Sequence, residues 1–154
     1  MGQFELGWEE WLALPDLGLP AIKAKVDTGA KTSALHASVI EPFGPSTKPQ
    51  VRFLIQPNPA DPSLEITCSA RVIDRREVTS SNGDTELRYV IETDVEMGKR
   101  RWPIQLTLSN RESMTYRMLF GRAAIQPDMI VNPNVSFSQP VLDFARYGSL
   151  PKRT

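Results

Sequence analysis

Ala21-Ile22-Lys23-Ala24-Lys25-Val26-Asp27-Thr28-Gly29-Ala30 decides the fold, because an alternating, strand-like run here ends in an Asp-Thr-Gly turn. A strand that carries a carboxylate into a glycine-containing turn suits one half of a two-carboxylate hydrolytic site. Gly29 has no Cβ and lets the main chain approach the acid, and the Thr28 hydroxyl can hydrogen bond to another strand or subunit. An ordinary strand-ending turn is the alternative, because Asp and Gly are common in every kind of turn.

The composition is that of one globular domain with no bias toward a particular partner. The 154 residues contain 40% hydrophobic and 23% charged residues, and 18 basic side chains balance 18 acidic ones. This balance provides no drive toward nucleic acid or an anionic membrane, so neither is expected as a partner. The single cysteine, Cys68, excludes an internal disulfide and is predicted to be a buried strand residue.

The sequence predicts neither export nor membrane insertion. No run approaches the roughly 20 apolar residues of a membrane-spanning helix. The acidic segment 1–11 lacks the basic and apolar regions of a signal peptide. A cytoplasmic location is therefore the expectation, and a signal peptide that has been removed is the alternative.

The apolar residues recur with a period of two, which predicts a mainly β protein. The alternating runs occupy five segments: 21–26, 51–55, 64–72, 89–95 and 102–108. β-branched and aromatic residues are enriched in these segments, as they are in strands generally. Helix is predicted only near Thr32–Ala37 and from about Arg122.

Turn residues arrange the strands as consecutive hairpins within one domain. Asn82-Gly83 lies between the third and fourth runs, and Asn-Gly is the strongest short hairpin signal. Gly98 separates the fourth and fifth runs in the same way. We predict a single domain over residues 1–140 and a C-terminal tail at 141–154. Within the domain, residues 41–62 are predicted to be a proline-rich loop that the strand at 51–55 interrupts.

A second motif follows the hairpins, where the apolar run Met118-Leu119-Phe120 ends in Gly121-Arg122. The order of Asp-Thr-Gly-Ala, two hairpins, an apolar strand and Gly-Arg resembles the retropepsins, which are single-lobe aspartic proteases of the retroviral type. The resemblance implies a closed β-barrel of the acid-protease type with a short helix after Gly121-Arg122. It also implies that Gly121 and Arg122 support the catalytic strand structurally.

Longer stretches are similar to a bacterial and archaeal family that carries the name ATP-dependent zinc protease. The similarity lies between about residues 8 and 137, in the segments 23–37, 75–78, 83–88, 106–114 and 118–122. This family is associated with ribosomal-protein glutamate ligases. The resemblance therefore implies a peptide or protein substrate, for which the glutamate-rich tail of a ribosomal protein is a candidate.

The residues do not match the chemistry in that family name, so no metal and no cofactor is predicted. Zinc hydrolysis needs about three His, Cys or carboxylate ligands and an open position. The chain has one histidine, His36, one cysteine and no His-Glu-x-x-His motif. Gly29-Ala30-Lys31-Thr32 lacks the spacing of a phosphate-binding loop. His36 is expected to be a structural or surface residue.

Asp27 is the predicted catalytic residue, and Thr28 and Gly29 complete its loop. Hydrolysis by carboxylates needs one group that removes a proton from water and a second, protonated group that polarises the amide. Thr-Gly or Ser-Gly follows no other aspartate in the chain, so the second carboxylate must come from a second copy. A two-fold homodimer that places Asp27 against its symmetry mate is the simplest arrangement.

Substrate binding is predicted for residues of this loop and of the first hairpin. The hairpin tip at Asn82 and Gly83 falls where retropepsins carry the flap that covers the substrate, and a plain surface hairpin is the alternative. The other residues predicted to bind substrate are Ala30, Lys31, Arg75 and Arg88. Together with Lys23, Lys25 and Arg76, the basic ones favour an acidic substrate, unless they lie on solvated strand faces.

The sequence leaves three functions open. The preferred interpretation is a metal-independent aspartic peptidase that acts as a homodimer. The alternatives are a peptide-binding module that keeps this fold without turnover, and a zinc hydrolase as the family name states.

Overall fold

The computed structural model describes residues 4–79, 83–110 and 115–149, and β-strands dominate this part of the chain, which confirms the predicted mainly β fold. Its eleven strands are β1 (Phe4–Leu6), β2 (Glu9–Leu14), β3 (Leu19–Asp27), β4 (Ser33–His36), β5 (Ser38–Phe43), β6 (Gln50–Ile55), β7 (Ile66–Thr79), β8 (Thr85–Met97), β9 (Arg100–Ser109), β10 (Met118–Gly121) and β11 (Met129–Val131). The helices of the same part of the chain are 3₁₀ helices at Pro15–Leu17, Arg122–Ala124 and Phe144–Ser149. The helix predicted from about Arg122 is therefore a single short turn. None of these helices is long and apolar enough to cross a membrane.

Nine strands form one sheet in the order β2-β3-β10-β4-β9-β8-β7-β6-β5, and β1 pairs with β11 separately. An additional pairing, of Ala13 with Glu96, joins β2 to β8, so the first six strands of this order form a ring. β10 runs parallel to β3 and β4 runs parallel to β9, whereas the other neighbours within the sheet are antiparallel. This topology is consistent with the single-lobe retropepsin-like fold.

The two hairpins follow the predicted turn residues. β7 pairs with β8 as far as Thr79 and Thr85, and β8 pairs with β9 as far as Met97 and Arg100. Gly98, in the second turn, has a φ of 60°, a left-handed conformation that glycine adopts without strain. The two hairpins therefore keep these three long strands adjacent in the sheet.

The helix predicted near Thr32–Ala37 is wrong, because Ser33–His36 forms strand β4. Leu35 lies opposite Leu108 of β9 on one side and opposite Met118 of β10 on the other. Pairing on both sides satisfies the backbone, and burial of Leu35 stabilises the strand. These long-range contacts override the local helix propensity of Ala and Leu.

One continuous core joins the six strands of the ring. Each strand contributes a fully buried side chain to it, namely Leu12, Ile22, Leu35, Ile91, Leu106 and Phe120. Burial of such a side chain is worth roughly 1.5–3 kcal/mol, so the core fixes the position of β3 and of the turn that follows it. Cys68 is buried, as predicted.

The two ends of the described chain pack against the ring. The Trp8 N–H donates a hydrogen bond to the Val135 carbonyl at 2.8 Å. Further along, the Tyr147 hydroxyl donates to the Ala21 carbonyl of β3 at 2.7 Å. Residues of the predicted C-terminal tail therefore contact the strand that leads to Asp27.

Candidate active site

Asp27 is the last residue of β3, and its side chain binds the turn that follows. Asp27 Oδ1 accepts a hydrogen bond from the Gly29 N–H at 3.0 Å, and the Asp27 carbonyl accepts one from the Ala30 N–H at 3.2 Å. A Cβ at residue 29 would lie only 3.2 Å from Asp27 Oδ1, so glycine leaves this oxygen the space it needs. Asp27 is half-buried, whereas Thr28 and Gly29 are exposed.

Gly121 of β10 lies directly opposite Asp27 in the parallel pairing of β10 with β3. Its N–H donates to Ser33 Oγ at 2.9 Å. An added Cβ would approach the carbonyl carbon of Thr32 to 2.7 Å and the nitrogen of Ser33 to 2.9 Å. Both are backbone atoms that cannot move aside cheaply, so a larger residue would displace β4 from the turn.

Arg122 holds the same turn through its backbone and its side chain. The Arg122 N–H donates to the Ala30 carbonyl at 2.9 Å, and Nη1 donates to the carbonyls of Thr28 and Gly29 at 3.2 and 3.3 Å. A guanidinium presents several N–H donors in a rigid fork, which suits two neighbouring carbonyls. The structure therefore places Gly121 and Arg122 against the loop that they were predicted to support.

A cleft of about 490 Å³ opens beside Asp27. The residues that line it include Asp27, Ala30, Lys31, Arg76, Arg88 and Ser109. A second cleft of about 390 Å³ adjoins the first, because Lys31, Thr32 and Arg76 line both. The lysine and the two arginines give the space next to Asp27 a positive character.

Both arginines of the cleft have a carboxylate partner in the described part of the chain. Arg76 Nε lies 2.9 Å from the Asp74 carboxylate, and this hydrogen bond lowers the pKa of Asp74. Arg76 Nη1 also donates to Thr32 Oγ1 at 3.3 Å. Arg88 Nε lies 3.4 Å from the Glu86 carboxylate. The Arg76 and Asp74 side chains are 41% and 48% exposed, and ion pairs of such exposure contribute little to stability, so the carboxylate of a ligand can compete for Arg76. The Arg88 side chain is only 14% exposed.

Two of the basic residues singled out in the sequence lie away from the cleft. Arg75 lines a separate groove of about 250 Å³, together with Phe43 and Tyr89. Lys23 Nζ lies 3.6 Å from a carboxylate oxygen of Glu9. The structure thus brings Arg76, rather than Arg75, to the space beside Asp27.

The hairpin predicted to form the flap is described except for residues 80–82 near its tip. Asn82 lies outside the described residues, whereas Gly83 is exposed and has a φ of 90°, a conformation typical of glycine in turns. The strands of this hairpin carry Arg76 and Arg88 directly opposite each other. Lys25, on β3, is exposed and pairs with the cleft residue Leu119 of β10.

Two buried polar residues near the cleft, Ser109 and Arg117, were not singled out in the sequence. Ser109 ends β9, lies opposite His36 of β4 and lines the cleft. The His36 N–H donates to the Arg117 carbonyl at 2.8 Å. No sequence pattern distinguishes Arg117 from an exposed arginine, because residues distant in the chain leave it only 9% exposed. His36 is buried as well.

The donor set of this part of the chain does not fit a zinc site. Among residues 4–79, 83–110 and 115–149, no group of three or more His, Cys, Asp or Glu side chains is placed to hold a metal ion. A catalytic zinc needs about three such ligands.

Comparison with known families identifies one model that spans most of the chain. This model is described as RimB-like, "Retropepsin-like aspartic endopeptidase RimB", and it matches residues 5–141. The match includes the Asp27 turn, both hairpins and the Gly121-Arg122 segment.

Individual relatives are larger proteins with a different name. Those from Shewanella pealeana and Shewanella halifaxensis are each 47% identical over 135 residues, and one from Desulfotalea psychrophila is 44% identical over 128 residues. All three are named "Probable alpha-L-glutamate ligase". The alignments cover 88%, 88% and 83% of this chain but only 30%, 30% and 28% of the relatives. The chain therefore spans less than a third of their length.

A solved structure has a similar fold. It is the crystal structure of protein Lpg0085, of unknown function, from Legionella pneumophila. The two chains superpose with a TM-score of 0.73 at 25% sequence identity, over 89% of this chain and 98% of that one.

Proposed function

Because this chain belongs to the RimB-like family of retropepsin-like aspartic endopeptidases, we propose that it is a metal-independent aspartic peptidase that cleaves acidic peptides as a homodimer. The observation that carries the proposal is the setting of Asp27. Its carboxylate is held by the Gly29 N–H at 3.0 Å and lines a cleft of about 490 Å³ that also contains Lys31, Arg76 and Arg88. A fixed carboxylate beside a cationic cleft suits the activation of water next to a bound acidic peptide.

The second carboxylate of the proposed site comes from a second copy of the chain. Asp27 is the one aspartate that Thr-Gly follows. Thr28 and Gly29 are exposed at the tip of the turn. The exposed residue Trp8 lies beside it, with its carbonyl 2.9 Å from the Val26 N–H. A two-fold axis at this exposed tip brings two Asp27 carboxyls together and covers the tip.

In the proposed mechanism the two Asp27 carboxyls share one proton, because two adjacent carboxyls do not both ionise cheaply. The ionised carboxyl removes a proton from a water molecule, which attacks the carbonyl carbon of the scissile amide. The protonated carboxyl donates its proton to the carbonyl oxygen, which gives a tetrahedral gem-diol. The C–N bond then breaks as the carboxyl that took the water proton gives it to the amine nitrogen, and a gem-diol hydroxyl returns a proton to the other carboxyl. The Gly29 N–H holds the Asp27 carboxylate in position.

The proposed substrates are peptides rich in glutamate. Lys31, Arg76 and Arg88 attract carboxylates into the cleft, and salt weakens this attraction over a Debye length of about 8 Å near physiological ionic strength. The name of the relatives, alpha-L-glutamate ligase, also connects this sequence with glutamate. We propose the glutamate-rich tail of a ribosomal protein as one such substrate, and the cytoplasm as the location of the reaction.

A peptide-binding module without turnover is the second candidate function. The observation that favours it is the ligase name of relatives that are more than three times as long as the aligned region. A domain of this fold can present a peptide to a separate ligase domain. Turnover by the isolated chain distinguishes the two candidates.

The variant Asp27→Asn tests the peptidase directly. It removes the general base at nearly constant side-chain volume, so we expect cleavage of a fluorogenic oligo-glutamate peptide to fall by at least about 100-fold. Circular dichroism and the melting temperature should stay those of the wild type. The matched control is Asp61→Asn, in an exposed loop where Asp61 accepts a hydrogen bond from the Ser63 N–H at 3.1 Å, and this variant should keep full activity.

Mixed dimers test the origin of the second carboxylate. An excess of the Asp27→Asn chain should lower the activity of the wild-type chain, because a mixed dimer contains only one Asp27. Undiminished activity in the mixture, or an activity that a chelator removes and zinc restores, would contradict the proposal. Oligo-glutamate that binds without being cleaved would support the binding module. Equal cleavage of oligo-glutamine at low salt would refute the acidic substrate class.

A further inference from the structure

Arg117 is a buried cation for which the described residues provide no counter-charge. The residue is only 9% exposed, and its Nε is buried without a hydrogen-bond partner. None of the salt bridges among the described residues includes it. Burial therefore lowers the pKa of Arg117 with no carboxylate to oppose the effect. A buried guanidinium nitrogen that has no hydrogen-bond partner among the described residues is costly, so its presence calls for a functional reason.

The strand register places Arg117 in one row with His36 and Ser109. The hydrogen bond from the His36 N–H to the Arg117 carbonyl extends the pairing of β4 with β10 by one residue. His36 in turn lies opposite Ser109 in the pairing of β4 with β9. Leu119, two residues after Arg117, and Ser109 both line the cleft that contains Asp27. Because residues two apart share one face of a strand, Arg117 belongs to the face that forms the cleft.

Ser109 contributes a second unpaired group to this row. The residue is 1% exposed, and its Oγ has no hydrogen-bond partner among the described residues. Within the described residues four buried side-chain polar atoms lack a partner, and two of them are Ser109 Oγ and Arg117 Nε. Ser109 lines the cleft, and the register places Arg117 next to it in the same row, beyond the cleft lining. Two donors without an acceptor among the described residues therefore lie beside the Asp27 cleft.

We propose that Arg117 and Ser109 form a carboxylate-binding subsite at the end of the cleft that begins at Asp27. The inference rests on the proposed function, because the carboxylate is one that the peptide substrate carries. A planar guanidinium and a hydroxyl donate directed hydrogen bonds to the two oxygens of one carboxylate. Arg76 differs from Arg117, because Asp74 already pairs with it. Arg117 is therefore the residue that discriminates most strongly between a carboxylate and the corresponding amide.

A glutamate-rich peptide offers this subsite two sources of carboxylate. One is the side chain of a glutamate near the scissile bond, and the other is the carboxyl terminus of the peptide. The two present the same pair of oxygens to Arg117 and Ser109, so only the peptide can distinguish them.

Binding to the inactive Asp27→Asn chain measures the subsite separately from catalysis. A labelled oligo-glutamate peptide is titrated at low salt, with fluorescence anisotropy as the readout, into this chain with and without Arg117→Gln. We expect Arg117→Gln to weaken binding at least about tenfold, because hydrogen bonds to a charged group are lost. The control Arg52→Gln removes an equal charge from β6, where the exposed Arg52 lies 5.1 Å from the ring centroid of Phe43. We expect less than about a twofold change from it.

Modified peptides identify which carboxylate the subsite binds. If the terminal carboxylate occupies it, amidation of the peptide terminus removes the difference between the chains with and without Arg117→Gln. If a side chain occupies it, one Glu→Gln replacement within the peptide has that effect. Either result supports the subsite. If Arg117→Gln weakens the binding of every modified peptide as much as that of the unmodified peptide, the proposal is overturned.

Ser109→Ala provides a second variant that removes only an unpaired hydroxyl. We expect it to keep the melting temperature of the wild type and to weaken oligo-glutamate binding by about threefold or more. Binding that neither Arg117→Gln nor Ser109→Ala alters would overturn the subsite, even in a chain that cleaves peptides. Binding that depends on Arg117 in a wild-type chain without peptidase activity would support the subsite and remove the proposed function instead.

Discussion

Glu10 and Arg117 are both charged and buried, yet their surroundings differ completely. Glu10 is fully buried, and its carboxylate accepts hydrogen bonds from the N–H groups of Gly7, Ser138 and Gln139 at 2.6, 2.9 and 3.1 Å. Arg117 Nε has no hydrogen-bond partner in the part of the chain that the structure describes. The chain itself provides hydrogen-bond donors for Glu10, whereas Arg117 Nε has no acceptor among the described residues.

Hydrogen bonding within the chain distinguishes a charge with a structural role, such as Glu10, from a charge that we propose binds a ligand, such as Arg117. Glu10 joins the N-terminal segment to residues 138–139, because its oxygens take the place of backbone acceptors for three N–H groups. Its neighbour Glu9 works in a similar way, accepting hydrogen bonds from the Tyr116 hydroxyl at 2.8 Å and from the Ser136 hydroxyl at 3.0 Å. A buried charge without a partner forms no hydrogen bond that offsets its desolvation cost. Its cost is offset only when a ligand binds.

Glu10→Ala is the change expected to reduce stability most. Three N–H groups lose their acceptor, and each costs about 1–3 kcal/mol when it is left unsatisfied. We therefore expect the free energy of unfolding, measured in urea, to fall by about 3 kcal/mol or more. The control Glu41→Ala, at an exposed position of β5, should change it by less than about 0.5 kcal/mol. Equal values for the two variants would show that Glu10 is not a structural residue.

Gly7→Ala tests the same junction by steric means. A Cβ at residue 7 would lie 2.3 Å from the Val135 carbonyl oxygen and 3.1 Å from the Phe137 nitrogen. Both are backbone atoms, so the C-terminal segment must shift, and we expect a loss of about 2 kcal/mol in urea unfolding. Gly148→Ala is the matched control, because a Cβ there meets no atom within 4 Å. If the two alanine variants are equally stable, the junction is not tightly packed.

Local patterns in the sequence were sufficient for five of the strands, β3, β6, β7, β8 and β9, and for the turn at Asp27. The alternation over 21–26 predicts β3, Gly98 predicts a tight turn, and Asp-Thr-Gly predicts the loop at Asp27. These features depend on neighbouring residues only. The structure shows each of them at the predicted place.

Features that depend on distant partners could not be predicted. Strand β4 forms where Ala and Leu favour helix, because β9 and β10 pair with it from both sides. The register of β7 shifts between Val72 and Asp74, which changes the face on which Arg75 and Arg76 lie. Nothing in the local sequence marks that irregularity. The burial of Arg117 depends in the same way on strands far from it in sequence.

Arg117→Gln should change stability in the opposite direction to Glu10→Ala. Replacing a buried charge that lacks a partner removes its desolvation cost, so we expect the free energy of unfolding to stay unchanged or to rise by about 1 kcal/mol. Urea unfolding of the ligand-free chain measures the difference. A loss of more than about 1 kcal/mol would mean that Arg117 holds the fold together, and the contrast with Glu10 would then disappear.

The smallest expected effect is the pH dependence that Glu10 gives to stability. Burial raises its pKa above the ordinary value of 4.5, so between 4.5 and the folded value the folded chain keeps a proton that the unfolded chain has released. The free energy of unfolding should therefore fall as pH rises through this window and level off above it. Asp74 and Asp128 act in the opposite sense and at lower pH, because Arg76 and Arg100 lower their pKa values below 3.8. Urea unfolding from pH 4.5 upward thus avoids the effects of these two aspartates, and Glu10→Gln should remove the part of the decline that Glu10 causes. An identical slope in both chains would show that the proton belongs to another group.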